Sequence, residues 1–160
     1  INCIHTIPHL NEWYAKYANK GFVIAGIQTP EFEFEKNLDS VKDAVKGFGI
    51  KYPVIQDNNY GTWNTYGNRY WPRDYLVDNE GYIRYDHVGE GGYNETENMI
   101  QSLLAEPGTN ANYNRTVTRV LQYSTLHRHA LDVASVGLVF PPLVVGRILY
   151  IVPPNVRTYR

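Results

Sequence analysis

Six apolar residues in a row, Phe22-Val23-Ile24-Ala25-Gly26-Ile27, stand directly after Gly21. Successive side chains of a strand point to opposite faces of its sheet, so an unbroken run of this length needs cover on both. That requirement describes a strand inside a parallel sheet, with helices above and below it. The chain supplies helical cover at once. Ile4, Ile7, Leu10, Trp13, Tyr14 and Tyr17 recur at three- and four-residue steps, which predicts a helix from Ile4 to about Asn19, closed by Gly21. Pro8 falls inside that stretch and is expected to kink the helix or to lie near its first turn.

Further along, Leu38, Val41, Val45 and Phe48 share one helical face, predicting a second helix over about Phe34 to Phe48 with Gly49 as its stop. Glu31, Glu33 and Glu35 cluster at its start, where the macrodipole favours acids. Tyr52 to Gln56 reads as a short strand ended by Asp57-Asn58-Asn59, and Tyr60 to Tyr70 as irregular turns or one short helix. Tyr75 to Asp78 and Tyr82 to Val88 flank Asn79-Glu80-Gly81 as a hairpin. Glu97 to Glu106, with Ile100, Leu103 and Leu104, makes a last helix. The order helix, strand, helix, strand, hairpin, helix predicts an α/β fold with a small mixed sheet.

Charge is unevenly placed. Residues 1–106 carry nine basic against fifteen acidic side chains, whereas residues 107–160 carry six arginines and the single acid Asp132. No run of Lys or Arg marks a nucleic-acid surface, so no nucleic-acid partner is expected. One cysteine, Cys3, rules out an internal disulfide framework and any multi-thiolate zinc site. Cys3, His5 and His9 find no fourth ligand at a recognisable spacing, so neither a metal nor another cofactor is expected. Gly89-Glu90-Gly91-Gly92 lacks the Lys-Ser/Thr ending of a phosphate-binding loop.

Taken alone, Cys3 reads as a small buried hydrophobe. Its neighbours change that reading. Asn2-Cys3-Ile4-His5-Thr6-Ile7-Pro8, at the start of a helix, resembles the segment Cys-x-Asn-Cys-x-His-Thr-x-Pro of thioredoxin-like proteins of the TlpA and DipZ type. The likeness continues in Thr29-Pro30-Glu31-Phe32-Glu33-Phe34-Glu35, in Tyr70-Trp71-Pro72 ahead of the strand at Tyr75, and in Asp78-Asn79-Glu80-Gly81-Tyr82-Ile83. It covers about residues 1–106. The resemblance implies a thioredoxin-like fold, a mixed sheet with helices on both faces. It also implies a thiol-disulfide oxidoreductase acting on disulfides of extracytoplasmic, periplasmic proteins, with a membrane electron carrier as reductant.

Carried over residue by residue, the resemblance makes Cys3 the second, resolving cysteine of a Cys-x-x-Cys pair whose first member would stand immediately before Ile1. Pro72 is then the cis-proline facing the motif, Trp71 a wall of the substrate groove, and Pro8 a shaper of the helix. The remaining aromatics Trp63, Tyr66 and Tyr70 read as packing of an irregular loop onto the sheet. Such a dithiol works because a thiolate at a helix amino-terminus is stabilised by the dipole and by unpaired N–H groups, attacks a substrate disulfide, and is released by the second thiol. Two other classes stay open: a redox-inactive thioredoxin-fold binding module, and a thiol peroxidase.

The chain opens at Ile1 directly in front of these residues and is expected to be an amino-terminally truncated fragment, lacking the strand before the motif. In this fold that strand is central, so its neighbours are expected to face an unfilled slot, leaving residues 1–160 inactive and poorly stable. Residues 107–160 are set apart as a tail without family likeness. Val133 to Gly146 is apolar but carries Pro141-Pro142 in its middle, which argues against a spanning helix. The sudden loss of Lys and Glu favours a shifted reading frame over an appended packed segment or a membrane-associated hairpin.

Overall fold

The computed structural model of the chain describes residues 2–78, 81–106 and 147–151. In chain order the elements are α1 (Asn2–Tyr17), β1 (Val23–Gln28), α2 (Leu38–Gly47), β2 (Val54–Gln56), α3 (Gly61–Thr65), β3 (Arg73–Val77), β4 (Ile83–Val88), α4 (Tyr93–Ala105) and β5 (Arg147–Ile151). One sheet holds all five strands in the order β2-β1-β5-β3-β4. β1 runs parallel to β2 and β5, while β3 runs antiparallel to β5 and β4. This is the α/β arrangement expected from the sequence, a mixed sheet with helices on both faces.

The apolar run forms β1 for the reason given by its pattern: both of its faces are buried. On one face Ile24 (0% exposed) and Leu76 of β3 (0%) meet Leu10, Trp13 and Tyr17 of α1 and Ile100 and Leu103 of α4. On the other, Ile27, Tyr75 and Val77 pack with Trp63 of α3, and Ala25, Ile55, Tyr66 and Trp71 lean on that cluster. Gly26 permits the close approach of β2. A Cβ there would stand 3.3 Å from Val54 Cγ2 and 3.4 Å from the Tyr52 ring, tighter than the interior normally allows. Helix α1 closes through a 3-10 turn at Ala18–Lys20 into Gly21, whose φ of 98° is left-handed.

Element ends differ from expectation in instructive ways. The second helix begins at Leu38 rather than near Phe34, because Asn37 Oδ1 accepts from Ser40 N at 3.0 Å and caps it there. Glu33–Lys36 form a separate 3-10 turn. The last helix begins at Tyr93, ahead of the expected Glu97. Tyr93 stacks on His9 of α1 at 3.6 Å between ring centroids, and buried Thr96 donates from Oγ1 to Gly92 O. Pro8 lies inside α1 on its exposed side.

The expected gap between strands is filled. β5 occupies the position between β1 and β3, pairing Val23 to Ile27 with Arg147 to Ile151 on one side and Arg73 to Val77 with Ile151 to Arg147 on the other. The sheet therefore crosses the division drawn at residue 106. The physical reason is plain: each unpaired N–H or C=O in so buried a place costs about 1–3 kcal/mol. Residues 107–146, with the whole apolar stretch Val133 to Gly146, and residues 152–160 lie outside the described residues. Among the described residues no helix is long and apolar enough to cross a membrane.

Leu76→Ala, at the meeting point of α1, α4 and the sheet, is expected to cost about 3 kcal/mol in urea unfolding. Tyr82→Ala, at a side chain 66% exposed, is expected to stay within about 0.5 kcal/mol. Similar losses in the two variants would contradict the packing described.

Candidate functional site

Cys3 sits in the first turn of α1 and is 3% exposed. A helix amino-terminus ordinarily lowers a thiol pKa. Here burial outweighs that effect and pushes the Cys3 thiol up to about 12, with the nearby carboxylates of Asp74 and Glu31 adding in the same direction. Thr6 Oγ1 donates back to Cys3 O at 2.9 Å and ties the turn together. On the outer side of the same turn His5 Nδ1 meets Glu90 Oε2 at 2.7 Å, linking α1 to the loop between β4 and α4.

Asp74 is the residue that the motif reading missed. It lies on β3, two positions after Pro72, on the face that carries Leu76 and is covered by α1. It is 3% exposed and its Oδ1 has no hydrogen-bond partner among the described residues. Burial raises its pKa to about 7. The hydroxyl of Tyr52, buried and without a hydrogen-bond partner among the described residues, is pushed up by burial first and then by the charge of Asp74. Directly across the ladder from Asp74 stand His87 on β4 and Tyr150 on β5. The signal was present in the sequence: with Tyr75 facing the second core, period-two alternation turns Asp74 inward.

The loop after β1 forms the next side. Glu35, 1% exposed, is no surface charge. Its Oε2 accepts from the backbone N–H of Glu31 at 2.6 Å and of Phe32 at 3.2 Å, and its own pKa is raised by burial. Asp57 holds the far end, accepting from Thr62 N, Trp63 N and Thr29 Oγ1 at 3.0, 2.8 and 3.2 Å. Phe32 and Phe34, both exposed, stack on each other at 5.7 Å.

The Trp71–Pro72 peptide is cis. Trp71 is half-buried; its Nε1 donates to Thr29 O at 3.1 Å and its ring lies 4.1 Å from that of Trp63. The Pro72 carbonyl accepts from Gly89 N at 2.9 Å. The structure thus brings the first turn of α1, the loop after β1 and the start of β3 to one end of the sheet. His9 does not join them, being stacked on Tyr93. Among the described residues no group of three His, Cys, Asp or Glu side chains is placed to hold a metal ion. The buried Cys3 thiol and the buried Asp74 carboxyl thus face the same end of the sheet, each with its pKa raised by burial.

No protein-family model matches the chain. Protein DipZ of Mycobacterium bovis is 46% identical to it over 110 residues, covering 68% of this chain and 16% of that protein. Thiol-disulfide oxidoreductase ResA of Bacillus anthracis is 29% identical over 101 residues, covering 63% of this chain and 56% of that one. A solved structure described as a thiol:disulfide interchange protein DsbE of Chlorobium tepidum superposes with a TM-score of 0.58 at 25% identity, over 65% of this chain and 72% of that one. The chain spans less than a fifth of the length of the DipZ proteins it matches.

Asp74 makes stability depend on pH. Its ordinary pKa of 3.8 rises to about 7 on folding, so between those values the folded chain holds a proton that the unfolded chain has lost. Stability therefore falls as pH rises through that window and is unaffected by Asp74 below it. Asp74→Asn is expected to add about 3–4 kcal/mol at pH 8 and nothing at pH 3. Urea unfolding across this range is the measurement; a pH slope unchanged by the substitution would place Asp74 in solvent.

Proposed function

This chain belongs to the thioredoxin-like redoxins of the TlpA and DipZ type, and from that premise we propose that it is the disulfide-exchange domain of a longer thiol-disulfide oxidoreductase acting on protein disulfides. The observation that carries the proposal is the Cys3 thiol, buried in the first turn of α1 with Asp74 beside it. A thiol held protonated by burial is a poor first nucleophile. It suits the second role, in which it attacks a mixed disulfide already formed on a more exposed cysteine. The resemblance puts that cysteine one position ahead of Ile1.

The proton inventory fits this role. To attack, Cys3 must lose its proton, and Asp74, with a pKa near 7, is able to take it. The new sulfur–sulfur bond forms between Cys3 and the first cysteine, and the substrate sulfur leaves as a thiolate that takes up a proton. Asp74 then returns its proton to solvent or to Cys3 in the reverse direction.

Trp71 and Pro72 supply the substrate side of the site in this reading. Pro72 has no N–H and its carbonyl is engaged by Gly89, so backbone pairing with an extended substrate falls to Trp71. The Trp71 side chain is pinned by Thr29 and Trp63 and stands as a fixed wall. An extracytoplasmic site of action and a membrane-embedded electron donor complete the proposal, on the strength of the resemblance to TlpA- and DipZ-type proteins.

The test uses the longer protein, expressed with whatever residues its gene encodes ahead of Ile1. Cys3→Ser is expected to lower disulfide turnover at least ~100-fold and to accumulate a mixed disulfide with a protein substrate. Full turnover by Cys3→Ser would sink the proposal. A second measurement needs only the present chain. Alkylation of Cys3 at pH 7.5 is expected to be at least ~100-fold slower in the folded than in the urea-unfolded chain.

A further inference from the structure

Asp74 on β3 and His87 on β4 stand directly opposite each other. Two positions along, Leu76 and Tyr85 are paired in the same way and both pack in the core beneath α1 and α4, so Asp74 and His87 share that face. Side chains opposed in this manner hold their Cβ atoms about 4.5–5.5 Å apart. Each carries a buried polar atom with no hydrogen-bond partner among the described residues, Oδ1 of Asp74 and Nε2 of His87. An oxygen and a ring nitrogen left unpaired on neighbouring strands are costly unless they serve each other or share one water.

We propose that His87 carries protons between the buried Asp74 carboxyl and solvent, as the outlet of the disulfide-exchange step; this rests on the reading of Cys3 given above. Exposure gives the pair its direction. Asp74 and Tyr52, whose hydroxyl is the other unpaired group near that acid, are each 3% exposed and lead nowhere. His87 is half-buried with Nε2 inside, so its ring reaches from the buried row to the surface. Gly92 makes room for that ring: a Cβ there would stand 2.8 Å from His87 Cε1 and 3.1 Å from Nδ1. The acids beside His87 in the chain are engaged elsewhere. Asp86, on the opposite face of β4, pairs with Arg73, and Glu90 meets His5 of α1 at 2.7 Å.

An imidazole suits this task because it can accept a proton at one nitrogen and release one from the other. As Cys3 attacks the mixed disulfide, its S–H proton passes to Asp74. The carboxyl O–H proton then moves to Nε2 of His87, and the Nδ1–H proton leaves to water. No electrons change hands in the relay, and proton exchange with solvent restores the first tautomer.

The test uses the longer protein and follows, by rapid mixing over about pH 6 to 9, the step in which Cys3 releases a mixed disulfide. His87→Gln keeps a polar side chain of similar size without an ionisable nitrogen, and is expected to slow that step at least ~tenfold and to remove one ionisation from its pH profile. His87→Ala is expected to be slowed likewise and to recover at least ~fivefold when imidazole is added, a response that a packing role would not give. Rates within about twofold of wild type in both variants would overturn the proposal, as would a loss in His87→Ala that imidazole leaves unchanged. Should His87→Ala fail to fold, the profile of His87→Gln decides: a slowed rate with the wild-type pH profile assigns His87 to packing and overturns the relay. Absence of disulfide turnover in the wild-type longer protein would remove the reading of Cys3 itself, whereas normal wild-type turnover with unaffected variants removes the relay alone.

Discussion

β1 and β3 are each buried on two faces and yet have no ladder to each other. Everything else in the architecture follows from how their inner edges are satisfied. Helices α1 and α4 rest on Ile24 and Leu76, and the second core rests on Ile27, Tyr75 and Val77. These packings exist only while the two strands lie two strand-spacings apart with something hydrogen-bonded between them. Apolar burial supplies most of the free energy of such a sheet, at roughly 25 cal/mol per Å². The backbone bonds of the centre decide which arrangement can collect it, because polar groups left unpaired in that place offset whole side chains of burial.

The same burial sets the character of the thiol. A helix dipole contributes about 0.3–1 kcal/mol to a nearby charge at the surface, and about 2 kcal/mol in favourable buried geometry. Cys3 is displaced from 9.0 to about 12 in the opposite sense, which corresponds to roughly 4 kcal/mol. Desolvation wins by the larger magnitude. Position at a helix start is therefore insufficient to make a cysteine reactive. What matters is which residues stand over it, and here they include a second buried acid-base group.

Much of this was legible in the sequence because it is local. The run Phe22 to Ile27 announces a buried strand, the three- and four-residue spacing of Ile7, Leu10 and Tyr17 announces α1, and the resemblance of Tyr70-Trp71-Pro72 to the thioredoxin-like loop implies the cis peptide. Glu35 was less legible. An acid at a helix start looks solvated, and only the fold of the loop reveals that it turns inward to hold two backbone N–H groups. Asp74 required knowing which face α1 covers, although its inward parity was available. β5 was not legible at all as a partner of β1. Pairing between strands so far apart in sequence leaves no periodic trace, and the four apolar residues after Arg147 fit a helix, a strand or neither.

The order of manufacture gives the position of β5 a further meaning. A ribosome makes α1, β1, β3 and β4 first, and the strand that joins them comes after all of them. Among the described strands the inner edges of β1 and β3 are therefore the last to be paired, and an unpaired edge is the part of a sheet that joins most readily to a neighbour. Contacts between residues 23–27 and 147–151 also give the domain a large mean sequence separation, the property that slows folding of small proteins.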